Sequence, residues 1–462
     1  MKNHLNGYLT VFLALSLTMI LGVFFFLIRG AFTGLSKMKL EIATDISVNA
    51  GLGEFHREML EQYDLLYIDL SYGGAGGSVG NLENHLVGYI DENVRANGGV
   101  SSWNELQLQS LAVTEMLMPH HYEGKMLKRQ ACAYISANTK AEALTDMAGL
   151  AAQAEALDGD DQMAKWQAAM GKIAQILASL THEKRQEAID ADPDADVSGV
   201  NVEIDNPAES VFNSAEGQIG SVTAGEGSKS VNLAEYYSHR AGGGAAPSGK
   251  YNTSFVNEAA NALLFKEYIF EKMGYYSQLK EGSRLDYQLE YIIAGKNSDS
   301  ANLQNVKNRI FAWRLADNVR LYFASPQKLK EATELATAIC AAVTHPELIP
   351  AVTASLLFSW AFEESIEDVK KIMDGEKIPL VKQQIGSNEG GLYYNQYLEI
   401  LLYLESEKKK LSRVMDIMEM DVRQTPGNQK FRIDWCVESF RVTAGYYDQY
   451  ESYTIDRRYG YY

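Results

Sequence analysis

Residues 8–28 read YLTVFLALSLTMILGVFFFLI, 21 residues without a charge. At about 1.5 Å per residue, a helix of that length spans roughly the 30 Å hydrocarbon core of a bilayer. Helix is the expected form, because in lipid every backbone group must find its partner within the segment. A cleaved secretory leader has an apolar run of about 7–15 residues and a small-residue cleavage site. This run is longer, and it ends at Arg29 without an Ala-x-Ala. The expectation is an uncleaved membrane anchor in the lipid bilayer. No ionisable residue lies inside the run, which argues against an ion or proton path.

Thr10, Ala14, Thr18 and Gly22 recur every four residues within this run. Small residues at that spacing share one slanted face and let a second helix backbone come close. These four are the candidate helix-docking residues. The plainer reading of the same stripe is that lipid-embedded helices tolerate small residues. Outward from the span, residues 35–62 place Leu35, Met38, Ile42, Ile46, Asn49, Leu52 and Met59 on or near a helical period. The pattern predicts one helix from Tyr8 to about Gln62, half in lipid and half carrying the body.

Charge is distributed in the same sense. Residues 1–40 hold Lys2, Arg29, Lys37 and Lys39 and no acid. Residues 141–230 hold 17 acids and 5 bases, −12 of the chain's −18. A basic start and an acidic middle suit a membrane-proximal end and a solvated insert. The acidic balance excludes the basic stripe a nucleic-acid binder needs. Three cysteines in 462 residues exclude a disulfide-stapled scaffold. Counting Lys and Arg beside the span leans toward a cytoplasmic carboxyl side. The layout, a short tail, one span and a large acidic body, is that of an exported domain, and the body is expected outside.

The chain divides into a tail (1–7), the span (8–28), a juxtamembrane helix (29–64), a first α+β part (65–182), an acidic and Gly-rich insert (183–250) and a second α+β part (251–462). Leu65–Tyr72 and Leu106–Met118 read as strands by alternation, and so does Tyr287–Ala294. Residues 126–180 read as helices, as do Phe255–Leu279, Asn302–Phe323, Lys328–Val343, Val352–Met373 and Tyr393–Arg423. Residues 183–250 are too poor in large apolar groups to offset the entropy of ordering, so a flexible linker is expected there. Phe431–Tyr462 alternates as an antiparallel hairpin. The fold class is therefore α+β, mostly helical, with one membrane helix running into a helix-rich body and a small antiparallel sheet.

The segments NGYLTVFLALSLTMILGVFFFLIRGA, EFHREMLEQYDLLYIDLSYG, LDYQLEYIIAGKNSDSANL (285–303), WAFEESIEDVKKIMDGEKIPL (360–380), LYYNQYLEILLYL (392–404) and the terminal RRYGYY are distinctive in combination. Together they resemble an uncharacterised family of single-span proteins found among Tad-type (Flp) pilus assembly genes of Gram-positive bacteria. The resemblance covers most of the chain except 183–250. It implies a location and a neighbourhood rather than a reaction: an outward-facing body, with pilus-assembly proteins or other membrane helices as partners. A type IV prepilin is cut after Gly and carries Glu at the fifth mature position. Here Gly7 precedes Tyr8 and the fifth position is Phe12. Phe cannot pair with a neighbouring subunit's amine, which argues against assembly as a major pilin.

Other constellations weigh little. Asp192, Asp194, Asp196 and Glu203 match calcium-loop positions one, three, five and twelve, but Val197 replaces the Gly required at six. A solvated linker explains them better. The run Gly73–Gly80 lacks the Lys-Ser/Thr of a phosphate loop and reads as a turn. His120 and His121 lack partner ligands at metal spacing and read as a surface pair. Ser36-x-x-Lys39 and Ser325-x-x-Lys328 lack the companion motifs of a serine–lysine enzyme. Asp286 with Glu290, and Glu364 with Asp368, sit four apart, where catalysis would require one of each pair to be buried. Cys132, Cys340 and Cys436 have no CxxC spacing and suit a buried role; in an exported body one pair could join. Seven tyrosines fill the last 17 residues, as core strand or as a binding face.

No catalytic residue, cofactor or metal site is expected. The leading expectation is a membrane-anchored structural or accessory component of a Tad-type pilus or related secretion apparatus, with association between copies left open. The alternatives are an anchored cell-envelope hydrolase using carboxylates and a surface adhesin or binding module.

Overall fold

The computed structural model describes residues 4–95, 107–138, 147–157, 159–204, 207–222, 225, 227–240, 258–343, 345–447 and 451–461. The chain falls into two compact units. The fold is mostly helical with two small antiparallel sheets, as the sequence pattern implies.

The first unit comprises Met1–Tyr134, Arg240–Val256 and Val422–Tyr462. Helix α1 runs from His4 to Leu52, and none of its most apolar window is buried. It is long and apolar enough to cross a membrane. Its second half buries Leu40, Ala43, Thr44, Ser47 and Val48, the spacing of one helical face. The expected helix to Gln62 is interrupted. α1 stops at Leu52, and a separate α2 (Arg57–Tyr63) follows, capped by the His56 ring accepting from the Met59 N–H at 3.3 Å. Tyr461 donates its hydroxyl to the Leu52 carbonyl, one of those a helix end leaves unpaired.

The expected strand over Leu65–Tyr72 shrinks to β1 (Ile68–Asp69), paired with β3 (Cys436–Val437). α3 (Val79–Arg95) places Leu82, Leu86 and Ile90 on one face. β2 (Gln107–Leu117), β4 (Ser439–Tyr447) and β5 (Ser452–Gly460) form an antiparallel sheet in the order β2-β4-β5. Phe440, Val442, Ala444 and Tyr446 of β4 alternate inward and join the buried faces of α1 and α3 in one core. The turn before α3 closes on Trp435. A Cβ at Gly77 would come within 2.4 Å of that ring, so only glycine fits. α4 (Lys125–Asn138) follows β2.

The second unit comprises Ile135–His239 and Asn257–Asp421. It holds α5 (Met147–Glu155), α6 (Gly159–Ala191), α7 (Pro207–Val222), α8 (Glu258–Lys272), α9 (Gln288–Ala294), α10 (Asp299–Ala324), α11 (Pro326–Val343), α12 (Ile349–Met373), α13 (Tyr394–Leu404) and α14 (Glu407–Val422). α12 is buried almost all round, with α6, α7, α10 and α11 packed about it, which makes it the axis of the unit. Trp166 of α6 stacks on Phe358 of α12 at 4.9 Å.

Three sequence expectations are corrected here. The stretch 183–250 is not all linker: α6 runs to Ala191, and α7 packs on α12, where the Ser359 hydroxyl donates to the Ala208 carbonyl at 2.8 Å. Residues 241–250 lie outside the described residues. Tyr287–Ala294 is a helix, not a strand, and it ends at Gly295 in the left-handed region with φ 64°. The helix over Tyr393–Arg423 divides at Glu405, whose backbone is extended.

Candidate functional site

The four docking candidates lie on α1 and all are exposed. Their hydroxyls do not reach outward. Thr10 donates to the Gly7 carbonyl at 2.9 Å and Thr18 to the Leu15 carbonyl at 2.8 Å. Such back-bonding satisfies both hydroxyls within the helix itself. A Cβ placed on Gly22 would meet nothing within 4 Å. The same bare surface continues beyond the span. Phe32, Leu35, Met38, Ile42 and Ile46 are each 46–63% exposed. Leu35, Met38, Ile42 and Ile46 line a shallow groove of about 260 Å³ whose far wall is Asn93 of α3. Large apolar side chains thus recur at helical spacing on an exposed face.

The carboxylate pairs separate into different environments. Glu364 and Asp368 both hold the buried Lys382 ammonium, at 2.9 and 2.7 Å. Asp368 also receives Arg314 Nε at 3.0 Å and Asn318 Nδ2 at 2.9 Å. Arg314 is fully buried, donates to the Pro379 and Leu380 carbonyls, and pairs with Asp317 at 3.0 Å. With Arg320 on Asp317, three cations face three carboxylates. A matched network of this kind fixes the loop after α12 and leaves no group poised for proton transfer. Asp286 pairs with Lys229 at 2.6 Å.

Glu290 differs. It is fully buried, and its Oε1 accepts from the Tyr276 N–H at 3.0 Å and the Tyr394 hydroxyl at 2.7 Å. Its Oε2 has no partner among the described residues. Burial pushes its pKa up to about 7. Nearby, burial also raises Asp299 and Asp416, whose oxygens accept backbone N–H groups of Asp286, Tyr287 and Ser238.

The remaining motifs have structural explanations. His120 and His121 are buried rather than on the surface, with rings 4.7 Å apart and edge-on. His121 Nδ1 accepts from the Met118 N–H, and burial pushes this ring's pKa down to about 4. Ser325 caps α11 by accepting from the Lys328 N–H at 3.3 Å, which accounts for that Ser-x-x-Lys. Ser36 is buried on α1. Asp192 and Asp196 accept from the N–H groups of Asp194 and Ser198 in local turns, and no metal-ligand group is found among the described residues. The three cysteines are buried and none of them forms a disulfide.

The C-terminal tyrosines fasten the sheet to α1. Tyr446 shares a 2.6 Å bond with the Thr44 hydroxyl, and Tyr459 donates to Asp45. Tyr450 and Tyr462 lie outside the described residues. One cluster went unread in the sequence. Beyond the end of α1, Glu54 accepts from the Tyr89 hydroxyl at 2.7 Å and meets His85 Nδ1 at 3.1 Å. Tyr72, with φ 47°, stacks on His85 at 3.9 Å. Only the spacing of His85 and Tyr89 on one helix face hinted at it.

A family model described as a family of unknown function (DUF5702) matches residues 199–386 and 383–448, more than half of the chain. The match takes in most of the stretch between the two body parts that reads as an insert. No curated protein and no solved structure matches the chain.

Proposed function

The chain belongs to DUF5702, a family of unknown function, and from that premise we propose that it is a membrane-anchored, extracytoplasmic structural or accessory component of a Tad-type pilus or related secretion apparatus. The observation that carries this reading is α1. It is one continuous helix whose first half is bare and apolar and whose second half is the central support of a sheet-bearing unit. A helix so built holds its unit at a bilayer surface and presents a lengthwise face to other helices. The docking face starts with Thr10, Ala14, Thr18 and Gly22. Its partner is a membrane helix lying parallel, because the bare surface runs on from the span to Ile46. The resemblance to Tad-associated proteins supplies the apparatus and the outward orientation.

Protease treatment of intact protoplasts, following a tag after Tyr462, tests the orientation. Loss of the full-length band supports the body outside, and its survival until lysis sinks the reading. Crosslinking of membrane partners by the A14L/G22L double variant tests the face: reduced adducts are expected, and unchanged adducts count against the stripe. A second reading, an envelope enzyme using carboxylates, rests on Glu290 alone. Its two bonds at Oε1 and its complete burial suit a structural acid better.

A further inference from the structure

We propose that the low end of the β4–β5 pair is a second membrane contact, seated in the phospholipid headgroup layer on the bilayer face from which α1 emerges. The inference rests on the reading of α1 as a membrane anchor. Arg29 is the first residue after the uncharged run, so it marks the bilayer surface. Its Nη2 lies 3.8 Å from Oε1 of Glu451, immediately before β5. From there β5 climbs α1 in order. Arg457 reaches Glu41 at 3.5 Å and Asp45 at 3.9 Å, Tyr459 reaches Asp45, and Tyr461 reaches Leu52.

The lengths agree. The ten residue steps from Glu451 to Tyr461 cover about 33 Å of strand, and the 23 steps from Arg29 to Leu52 cover about 34 Å of helix. The sheet therefore begins near the level where the helix leaves the lipid. The polar layer on each face of a bilayer is roughly 5–8 Å thick, within reach of side chains at that end. The groups there suit it. Tyr447, opposite Ser452 in the register, is 38% exposed, and Tyr453 is half-buried. Tyrosine favours this zone, its ring among the acyl boundary and its hydroxyl wet. The Glu451 carboxylate at this level is paired with Arg29.

A single helix leaves a subunit free to turn about its own axis. A second contact removes that freedom and fixes the direction in which Leu35, Met38, Ile42 and Ile46 face.

The test uses the full chain in vesicles of mixed phosphatidylcholine and phosphatidylglycerol. Nitroxide labels are placed singly at L17C, S452C and D456C; the native thiols are buried and react little. Relative accessibility to oxygen and to a water-soluble nickel chelate reports depth. Expected is Leu17 deepest, Ser452 intermediate and Asp456, about 13 Å further along the strand, fully aqueous. If Leu17 is in lipid while Ser452 is as aqueous as Asp456, the second contact is overturned and the anchor stands. If Leu17 itself is aqueous, the anchor falls and the contact falls with it.

Discussion

The Tyr459 hydroxyl donates to the Asp45 carboxylate, joining the last strand of the chain to its first helix. A hydrogen bond to a charged group contributes about 1.5–3 kcal/mol. Y459F should therefore destabilise the first unit by about 1–2 kcal/mol, with faster amide exchange over residues 41–52. R457A, which loses only exposed ion pairs, should cost under about 1 kcal/mol. Equal effects from the two would show that the tyrosine does not hold the helix.

Lys382 makes the corresponding tie in the second unit. Its ammonium is buried between Glu364 and Asp368. K382M leaves two buried or half-buried carboxylates short of a cation, a loss of about 3 kcal/mol by analogy with broken buried pairs. R320A, at a side chain 49% exposed, should cost less than about 1 kcal/mol. Urea denaturation of the two variants measures the contrast, and a small effect for K382M would mean the network is dispensable.

These ties also show where the sequence was legible. The span, β2, the terminal hairpin and α10 to α12 follow from local periodicity. α9 does not, because Gln288, Leu289, Glu290, Tyr291, Ile292 and Ile293 are all buried and a helix buried all round has no polar face to read. Tyr287, Leu289, Tyr291 and Ile293 at alternate positions, with Gln288 and Glu290 between them, imitate a strand. The Leu52 carbonyl at the break is capped by Tyr461, 409 residues away. Arg314, Asp368 and Lys382 come from three separate segments, so no spacing rule gathers them. The histidine pair was misread because burial of a neutral imidazole leaves no mark in the sequence.

Glu290 should make the second unit sensitive to pH. Its carboxyl is raised from an ordinary carboxylate value to about 7 in the folded chain. Between those two values the unfolded chain is ionised while the folded one must keep its proton. Stability is thus full at acid pH and is lost as pH rises toward 7. A shift of this size amounts to roughly 3 kcal/mol. E290Q keeps an acceptor for Tyr394 and Tyr276 and does not titrate. Wild-type stability minus that of the variant should fall by roughly this amount between about pH 4.5 and pH 7.5. Parallel stability curves would place the Glu290 pKa in the ordinary range.

The exposed face beyond the span separates a docking role from a purely anchoring one. Leu35 and Ile42 are 63% and 46% exposed, so L35N and I42N remove little buried surface and should change the stability of the first unit by under about 0.5 kcal/mol. An anchor needs only the run from Tyr8 to Ile28 and would tolerate both changes. A parallel helix packed along the face from Ala14 to Ile46 would lose apolar contact, at about 25 cal/mol per Å². The double variant should then lower crosslinking to membrane partners several-fold, with unaltered membrane retention and unaltered thermal unfolding. Retention with undiminished crosslinking would confine docking to the stripe from Thr10 to Gly22 and leave Phe32 to Ile46 without a role in assembly.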